Sequence, residues 1–415
     1  MALCLLMFPT LGQTHFPALY GKVFIRSEPA QQDEGARPPA VPPVPMDEAD
    51  LDAYEQQVRA QELLDGPYAE TLAESLSSIG HYHRDRGDYR EAEELYIRAL
   101  HVVRVNDGLY SERQIPLLRD LLNLYRATGD LKALDDRYDY FFRLYGSGQP
   151  PYTALRKRAS VEYLRWQRAA HCSGLDRGSN KRLVDLYLLN KQMLKSVAQT
   201  PNVDQAWHRE LVLNQIRNLY LLLGVNNLTG SSLSVGSSAH SDPSVIVQQQ
   251  LSNLQLTGLH IGRKLLQDLI AQSLQLDPIE RASLHLELGD WYQWNELLRR
   301  AEEEYAMVEQ ILLEAGELET LDQWLGAPFE LPANDAFMQP NPRPSDAKPV
   351  VATVRYDISA KGFLSNVEVS TKKPEDASVG LRIKRMLKGT HFRPRFVSGH
   401  AEPTEKLTRQ YQLIE

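Results

Sequence analysis

A tyrosine recurs at a fixed interval in this chain: Tyr68, Tyr110 and Tyr152 stand 42 residues apart. At the same shift Asp65-Gly66 returns as Asp107-Gly108, and Gly87-Asp88 as Gly129-Asp130. Such a period constrains the fold strongly, because each unit must bury its apolar face against its neighbours. In the first unit Leu76, Ile79, Gly80 and His83 share one helical face, and Ala92, Tyr96, Ala99 and Leu100 form the facing stripe of a second helix. Gly87-Asp88 lies between them as the turn. Gly80, Ala92 and Ala99 are small enough to let two backbones approach, while the larger side chains fill the gaps. The expected unit is an antiparallel helix pair.

These residues resemble the tetratricopeptide repeat family, in a long variety similar to kinesin-light-chain-type repeats. The second unit keeps Leu118, Leu121, Tyr125, Gly129 and Tyr138, but places Leu122 and Phe141 where small residues are usual. The third, from Tyr152, matches less well. A further unit spans Leu284–Val308, where Leu288, Gly289, Tyr292, Ala301 and Tyr305 reproduce the spacing. Residues 182–224 and 245–276 read as long amphipathic helices without the signature. The resemblance implies a right-handed helical solenoid over residues 47–326, with a concave face that binds peptides or partner proteins. Asn123 and Arg126, polar residues on a first helix, are candidates for its lining. The alternative is that the repeats only hold the molecule together.

After Val350 the apolar period changes from helical to alternating. Val350–Ile358 and Phe363–Thr371 read as a hairpin joined at Ser359–Gly362, Glu375–Lys388 as one amphipathic helix, and His391–Val397 and Thr404–Leu413 as two more strands, with Ser398–Pro403 as the turn. This β-β-α-β-β order carries G-x-x-x-x-V at Gly362–Val367 and F-x-P-x-x-x-x-G at Phe392, Pro394 and Gly399. It resembles the C-terminal domain of the TonB family, here over residues 350–415. The resemblance implies a periplasmic domain of Gram-negative bacteria that pairs with an extended segment of an outer-membrane transporter by adding a strand to its sheet. The fold expected for the whole chain is therefore mainly α, a solenoid followed by a small α+β domain.

Two Pro-rich segments, residues 21–46 and 327–349, read as extended linkers. Thr229–Ser244 is of low complexity, and Cys172–Asn180 is a polar turn. Residues 1–20 open with the apolar run Met1–Gly12, read as a secretory signal whose start is cut short, since no basic region precedes it; a short buried or disordered apolar tail is the other reading. No stretch approaches the roughly 18 apolar residues that cross a bilayer. The expectation is a periplasmic, exported protein without a stable membrane span.

The net charge of −8 is unevenly placed: residues 348–415 hold 13 Lys and Arg against 7 Asp and Glu, and the rest holds 33 against 47. An acidic body thus carries a basic terminal module, which suits an acidic peptide or the body itself. The run Lys384, Arg385, Lys388, Arg393, Arg395 is the one cationic feature, but in an acidic chain it is not read as a nucleic-acid site. Phe392 and Phe396 beside it are expected to be buried.

The sequence shows no GxSxG, P-loop or GxGxxG. His81 and His83, two apart on a helix, project about 200° from each other and do not converge on an ion; His285 and Glu287 fail for the same reason. Asp135-Asp136 and Glu302–Glu304 read as solvated helix faces, and Trp291 and Trp294 as packing between helices. Asn227-Leu228-Thr229 has the pattern of a glycosylation sequon. Cys4 and Cys172 are the only cysteines, too few for a disulfide framework or a CxxC zinc site. No catalytic, cofactor-binding or metal residues are expected. The function expected is a non-enzymatic protein–protein interaction scaffold of the bacterial envelope. A divergent energy transducer acting on an outer-membrane receptor is the alternative; a hidden enzyme would require a pocket with convergent titratable groups.

Overall fold

The structure, a computed structural model, describes residues 24–26, 48–176, 179–200, 204–225, 243–338, 350–371 and 377–413. It is mainly helical with a small C-terminal sheet region. The first element is a short strand, β1 (Phe24–Arg26). The helices follow in two compact units, one running through residues 48–166 and the other gathering 24–26, 167–338 and 350–413. The apolar opening segment 1–20, the sequon Asn227-Leu228-Thr229 and the low-complexity residues up to 242 lie outside the described residues.

The first unit contains α1 (Glu48–Asp65), α2 (Leu72–Arg86), α3 (Tyr89–Asp107), α4 (Ile115–Thr128) and α5 (Leu131–Leu144). α2 and α3 form the expected antiparallel pair. Gly87, at φ +87°, ends α2, with its own N–H donating to the Arg84 carbonyl and the Asp88 N–H to the His83 carbonyl. Gly129 ends α4 in the same way at φ +66°, with the Asp130 N–H donating to Tyr125. Glycine takes this left-handed conformation without the clash a Cβ would bring.

Between the paired helices the decisive contact is Gly80 against Tyr96. A Cβ on Gly80 would lie 2.6 Å from Tyr96 Cε1. Leu76, Ala92, Tyr96 and Ala99 are buried around it. In the second pair Leu122 and Phe141 occupy the positions of Gly80 and Ala99; both are buried, and α4 and α5 touch less extensively than α2 and α3. Leu121, Tyr125 and Tyr138 are buried as the periodicity requires, with Tyr138 stacked on Trp166 at 4.9 Å between ring centres. The tyrosines that first revealed the period are not core residues: Tyr68 is 49% and Tyr110 77% exposed. They mark the turns between pairs, beside Gly66 and Gly108 at φ +86° and +88°.

α6 (Ala154–Cys172) begins in the first unit and ends in the second. The second unit continues with α7 (Lys181–Ala198), α8 (Gln205–Gly224), α9 (Pro243–Ala271), α10 (Pro278–Trp294), α11 (Leu298–Ala315) and α12 (Leu318–Leu325). α10 and α11 repeat the geometry of α2 and α3: a Cβ on Gly289 would stand 2.5 Å from Tyr305 Cε1. Tyr292, Ala301 and Tyr305 are buried there. At the turn Glu296 takes φ +59° where the first two pairs have glycine. Trp291 is fully buried and Trp294 half-buried; the two pack on Tyr220 of α8 as expected for helix-packing residues.

The remaining strands are β2 (Phe329–Glu330), β3 (Val350–Ile358), β4 (Leu364–Thr371), β5 (Phe392–Arg393), β6 (Arg395–Val397), β7 (His400–Glu402) and β8 (Thr404–Leu413), with α13 (Ala377–Lys388) after β4. β3, β4 and β8 form an antiparallel sheet in the order β1-β8-β3-β4. α13 packs Val379, Ile383, Met386 and Leu387 onto Ala352, Val354, Tyr356 and Ile358. β4 bulges opposite Tyr356, where the register moves from Arg355↔Glu368 to Asp357↔Ser365. Asn366, at φ +51°, donates to Asp357 there, and Val367 of the glycine–valine motif sits half-buried against the sheet core.

Four expectations are corrected. His391–Val397 is not one strand: Pro394 has no N–H to give a ladder, and the segment divides into β5, paired with β2, and β6, paired with β7. Ser398–Pro403 is accordingly the tip and second strand of a small hairpin rather than a plain turn. Residues 329–338 are not an extended linker, since Leu331 and Ala336 are buried and Asp335–Phe337 makes a turn of 3₁₀ helix. Within 21–46, Phe24–Arg26 pairs with β8 instead of running free.

The glycine–tyrosine contact predicts the effect of one methyl group. Gly80→Ala and Gly289→Ala should each lower unfolding free energy by about 1–3 kcal/mol, the usual loss on overpacking. Denaturant titration measures this, and two variants as stable as the parent would show that the helices are not held at this distance by the glycines.

Candidate functional site

In the second unit the basic terminal module is bolted to the helices through a buried ion pair. Asp290 follows Gly289 on α10 and is 1% exposed; Arg393 of β5 is 3% exposed. The guanidinium donates through Nε to Asp290 Oδ1 and through Nη2 to Oδ2, both at 2.9 Å, and through Nη1 to the Trp324 carbonyl at 2.6 Å. Tyr305 donates to Asp290 Oδ1 at 3.0 Å, so the tyrosine that packs on Gly289 also orients the carboxylate. Burial lifts the Asp290 carboxyl above the ordinary range, and Arg393 opposes the shift.

Backbone contacts extend this docking. Gln293, one turn along α10, donates to the Lys361 carbonyl at 2.8 Å. Gly362 sits at φ +78° where a Cβ would collide with the Phe392 carbonyl and the Gln293 amide, and Phe392 N–H donates to its carbonyl at 3.2 Å. Gly399, at φ +83°, donates its N–H to Glu309 of α11 at 2.6 Å. Phe392 and Pro394 are buried, and Phe396 packs against Tyr305 with ring centres 6.0 Å apart. The motif residues Gly362, Phe392, Pro394 and Gly399 thus lie where the module meets α10 and α11 or immediately beside it. Only Val367 serves the sheet interior alone.

A second buried carboxylate secures the segment before the sheet. Glu330 Oε1 accepts from Arg409 Nη1 at 3.1 Å and from the Tyr411 hydroxyl at 2.5 Å. Tyr411 and Tyr356 share a hydrogen bond at 2.8 Å. One turn back along α10 from Asp290, Glu287 accepts from Asn334 at 3.0 Å, while Asp335 pairs with Arg217 at 2.8 Å and Arg168 at 3.5 Å. Burial, reinforced by Asp290, pushes the Glu287 carboxyl up to about 7, against the pull of Arg217, Asn334 and Arg393.

In the first unit a polar strip runs along α2 and α4. His81 meets Asp120 at 2.9 Å, and Arg126 reaches Asn123 and Glu162, each at 3.0 Å. Asn123 and Arg126, the candidate groove residues, are thus tied to each other. His83 turns to Asp88 at 3.5 Å, so the two histidines do not converge. Among the described residues no group of three His, Cys, Asp or Glu could hold a metal ion. A groove of about 480 Å³ opens between α1, α2 and α3, floored by Val58, Leu76, Ile79 and Leu95 and bordered by charged residues including Glu62 and Arg98.

Several solvated-face readings change. Asp135 is half-buried and accepts from the Trp166 indole at 2.8 Å, leaving Asp136 exposed. Glu304 accepts from His285 at 2.7 Å. The cationic run is split, because Arg393 points inward while Arg385, Lys388 and Arg395 are exposed. Cys172 is buried and its thiol is pushed up to about 12 by burial, which leaves it a poor nucleophile at neutral pH. Sequence reasoning missed Asp290 and Glu330. The signal for Asp290 was its place: the first unit has His81 after the signature glycine, and this unit has a carboxylate.

No protein-family model matches the chain, and no curated protein matches it. Among solved structures, the crystal structure of BtubC (BKLC) from P. vanneervenii is similar over 72% of this chain and 95% of that one, at 16% identity and a TM-score of 0.22. A score that low carries no argument about fold. Among the described residues no helix is long and apolar enough to cross a membrane.

Two predictions follow from the buried charges. Removing one partner leaves the other uncompensated, so Asp290→Asn or Arg393→Met should each destabilise the protein by about 3–5 kcal/mol, and the double variant should lose less than the sum. Chemical denaturation of all four proteins reads the coupling; strict additivity would deny the contact. For Glu287, the folded state binds its proton more tightly than the unfolded state does, so stability gained as pH falls is lost as pH rises toward about 7. Glu287→Gln should raise the melting temperature at pH 8 and flatten its dependence between pH 5 and 8; an unchanged slope would place the titration elsewhere.

Proposed function

We propose that this chain is a non-enzymatic scaffold of the bacterial cell envelope, exported to the periplasm, that binds partner polypeptides. In this reading the helical body is a tetratricopeptide-type solenoid and the terminal module is a TonB-like sheet domain. The observation that carries it is the recurrence of one contact in two separate helix pairs: Gly80 under the Tyr96 ring and Gly289 under the Tyr305 ring. An array of such pairs presents an extended polar face suited to peptides. The strip of His81, Asp120, Asn123 and Arg126 supplies hydrogen-bonding groups for one.

The terminal sheet adds a second mode, pairing with an extended segment through backbone hydrogen bonds. The Asp290–Arg393 clamp favours a docked binding module over a free arm that transmits force, and so favours the scaffold over an energy transducer. Crosslinking with mass spectrometry, using the full chain in an envelope fraction, tests the reading. It should recover a specific polypeptide crosslinked to α2 and α4 or to the sheet. Recovery of nothing above a bead control would defeat it.

A further inference from the structure

The tyrosines that mark the 42-residue period face solvent in company. Tyr68 and Tyr110 are 49% and 77% exposed, Leu63 and Val105 89% and 52%, and Leu64 and Leu109 83% and 60%. Leu63 and Val105 are also 42 residues apart, so the two turns repeat an outward apolar position. Hydrogen bonds set the turns side by side. Asn106 donates to the Tyr68 carbonyl at 2.8 Å, and Arg113 donates to Glu70 at 2.5 Å and to Asp107 at 3.1 Å. Gln114 and Tyr140 donate to the Leu109 carbonyl at 3.0 and 2.8 Å. Apolar side chains exposed singly are ordinary, whereas a group gathered on a braced edge marks a contact surface. Asp65 and Glu112 at its margin are exposed and have no ion-pair partner among the described residues.

The terminal module carries a face of opposite charge. α13 turns Val379, Ile383, Met386 and Leu387 into the sheet core. On its other face Leu381, 58% exposed, is followed at three, four and seven residues by Lys384, Arg385 and Lys388. None of these three cations has an ion-pair partner among the described residues, and α13 contains no Asp or Glu. We propose that these two surfaces join copies of this chain. The outer face of α13 in one molecule seats on the apolar turn edge of the next, with Leu381 among the tyrosines and the cations toward Asp65 and Glu112. A second copy is the occupant because the chain itself carries both halves, opposite in charge and each exposed. Pairing edge to edge would instead set the two carboxylates against their own counterparts, which is unfavourable. A contact between unlike faces leaves one of each free, so assembly proceeds past the dimer or closes as a ring. Apolar burial supplies the affinity and the charges supply orientation and association rate, so the assembly weakens with salt. This self-association goes beyond the scaffold reading and does not depend on it.

Sedimentation velocity on the purified full chain, over a range of concentrations and at low and high salt, tests the proposal. The parent should form species larger than the monomer as concentration rises, and salt should dissolve them. Lys384→Glu with Arg385→Glu should weaken association at least tenfold, and so should Asp65→Lys with Glu112→Lys. The chain carrying all four substitutions should associate again, because both signs are then exchanged; general loss of charge or of folding would not restore it. Melting curves check that each variant is folded, and should the fourfold variant fail to fold, an equal mixture of the two double variants replaces it. That mixture should assemble where each component alone stays monomeric. Leu64→Ser with Tyr110→Ser should weaken assembly at both salt concentrations. A parent that remains monomeric at every concentration would overturn the proposal, as would double variants that associate like the parent. Failure of both the fourfold variant and the mixture to recover assembly would equally overturn it, by showing that these two faces do not meet. Absence of an envelope partner would defeat the scaffold reading and leave this self-association measurable, which separates the two failures.

Discussion

A tyrosine ring laid against a glycine on the facing helix sets the spacing on which this structure depends. With no Cβ at Gly289, Tyr305 crosses directly over the backbone of α10, and its hydroxyl arrives at Asp290, the next residue. That carboxylate then receives Arg393 from the terminal module. One close approach thus connects helix pairing to module docking. A larger residue at the glycine would separate the helices and draw the tyrosine hydroxyl away from the carboxylate.

The docking is polar at its centre and apolar around it, an arrangement with physical consequences. Transferring Asp290 and Arg393 out of water is costly for each. Their bidentate geometry offsets that only because the remaining donors and acceptors also find partners, in Tyr305 and the Trp324 carbonyl. At Glu330 only one oxygen is so served: Oε1 accepts from Arg409 and Tyr411, while Oε2 is buried without a hydrogen-bond partner among the described residues. Pairing of this kind specifies one orientation of the module, whereas the surrounding contacts of Phe396 and Tyr305 supply non-directional burial. Glu287 is the exception, half-buried beside a second carboxylate with a hydrogen bond from Asn334 but no bidentate cation, which is why its proton is retained to about pH 7.

Much of the helical unit was legible from residue type and spacing. Gly80, Gly87, Gly129 and Gly289 announced close approaches and helix ends, because few other residues meet those requirements without strain. Phe392 and Phe396 were correctly read as buried from alternation. Reading failed where composition masked contact. Residues 327–349 were judged by their prolines, yet Glu330 and Leu331 are buried, with partners in Arg409 and the His391 carbonyl, sixty or more residues away in the chain. Arg393 looked like one cation in a basic run, since nothing local distinguishes an arginine that faces solvent from one that faces a distant aspartate.

The amino-acid sequence by itself determined the helix pairs, their turns and the switch to alternating strands near Val350, because these depend on period, small residues and glycine conformation within a few tens of residues. Only the tertiary structure decided that Asp290 holds Arg393, that β5 pairs with β2, and that Phe24–Arg26 lies along β8. Those pairings join residues remote in the chain, and the free energy of each arises from desolvation and backbone pairing that exist only once the two surfaces have met.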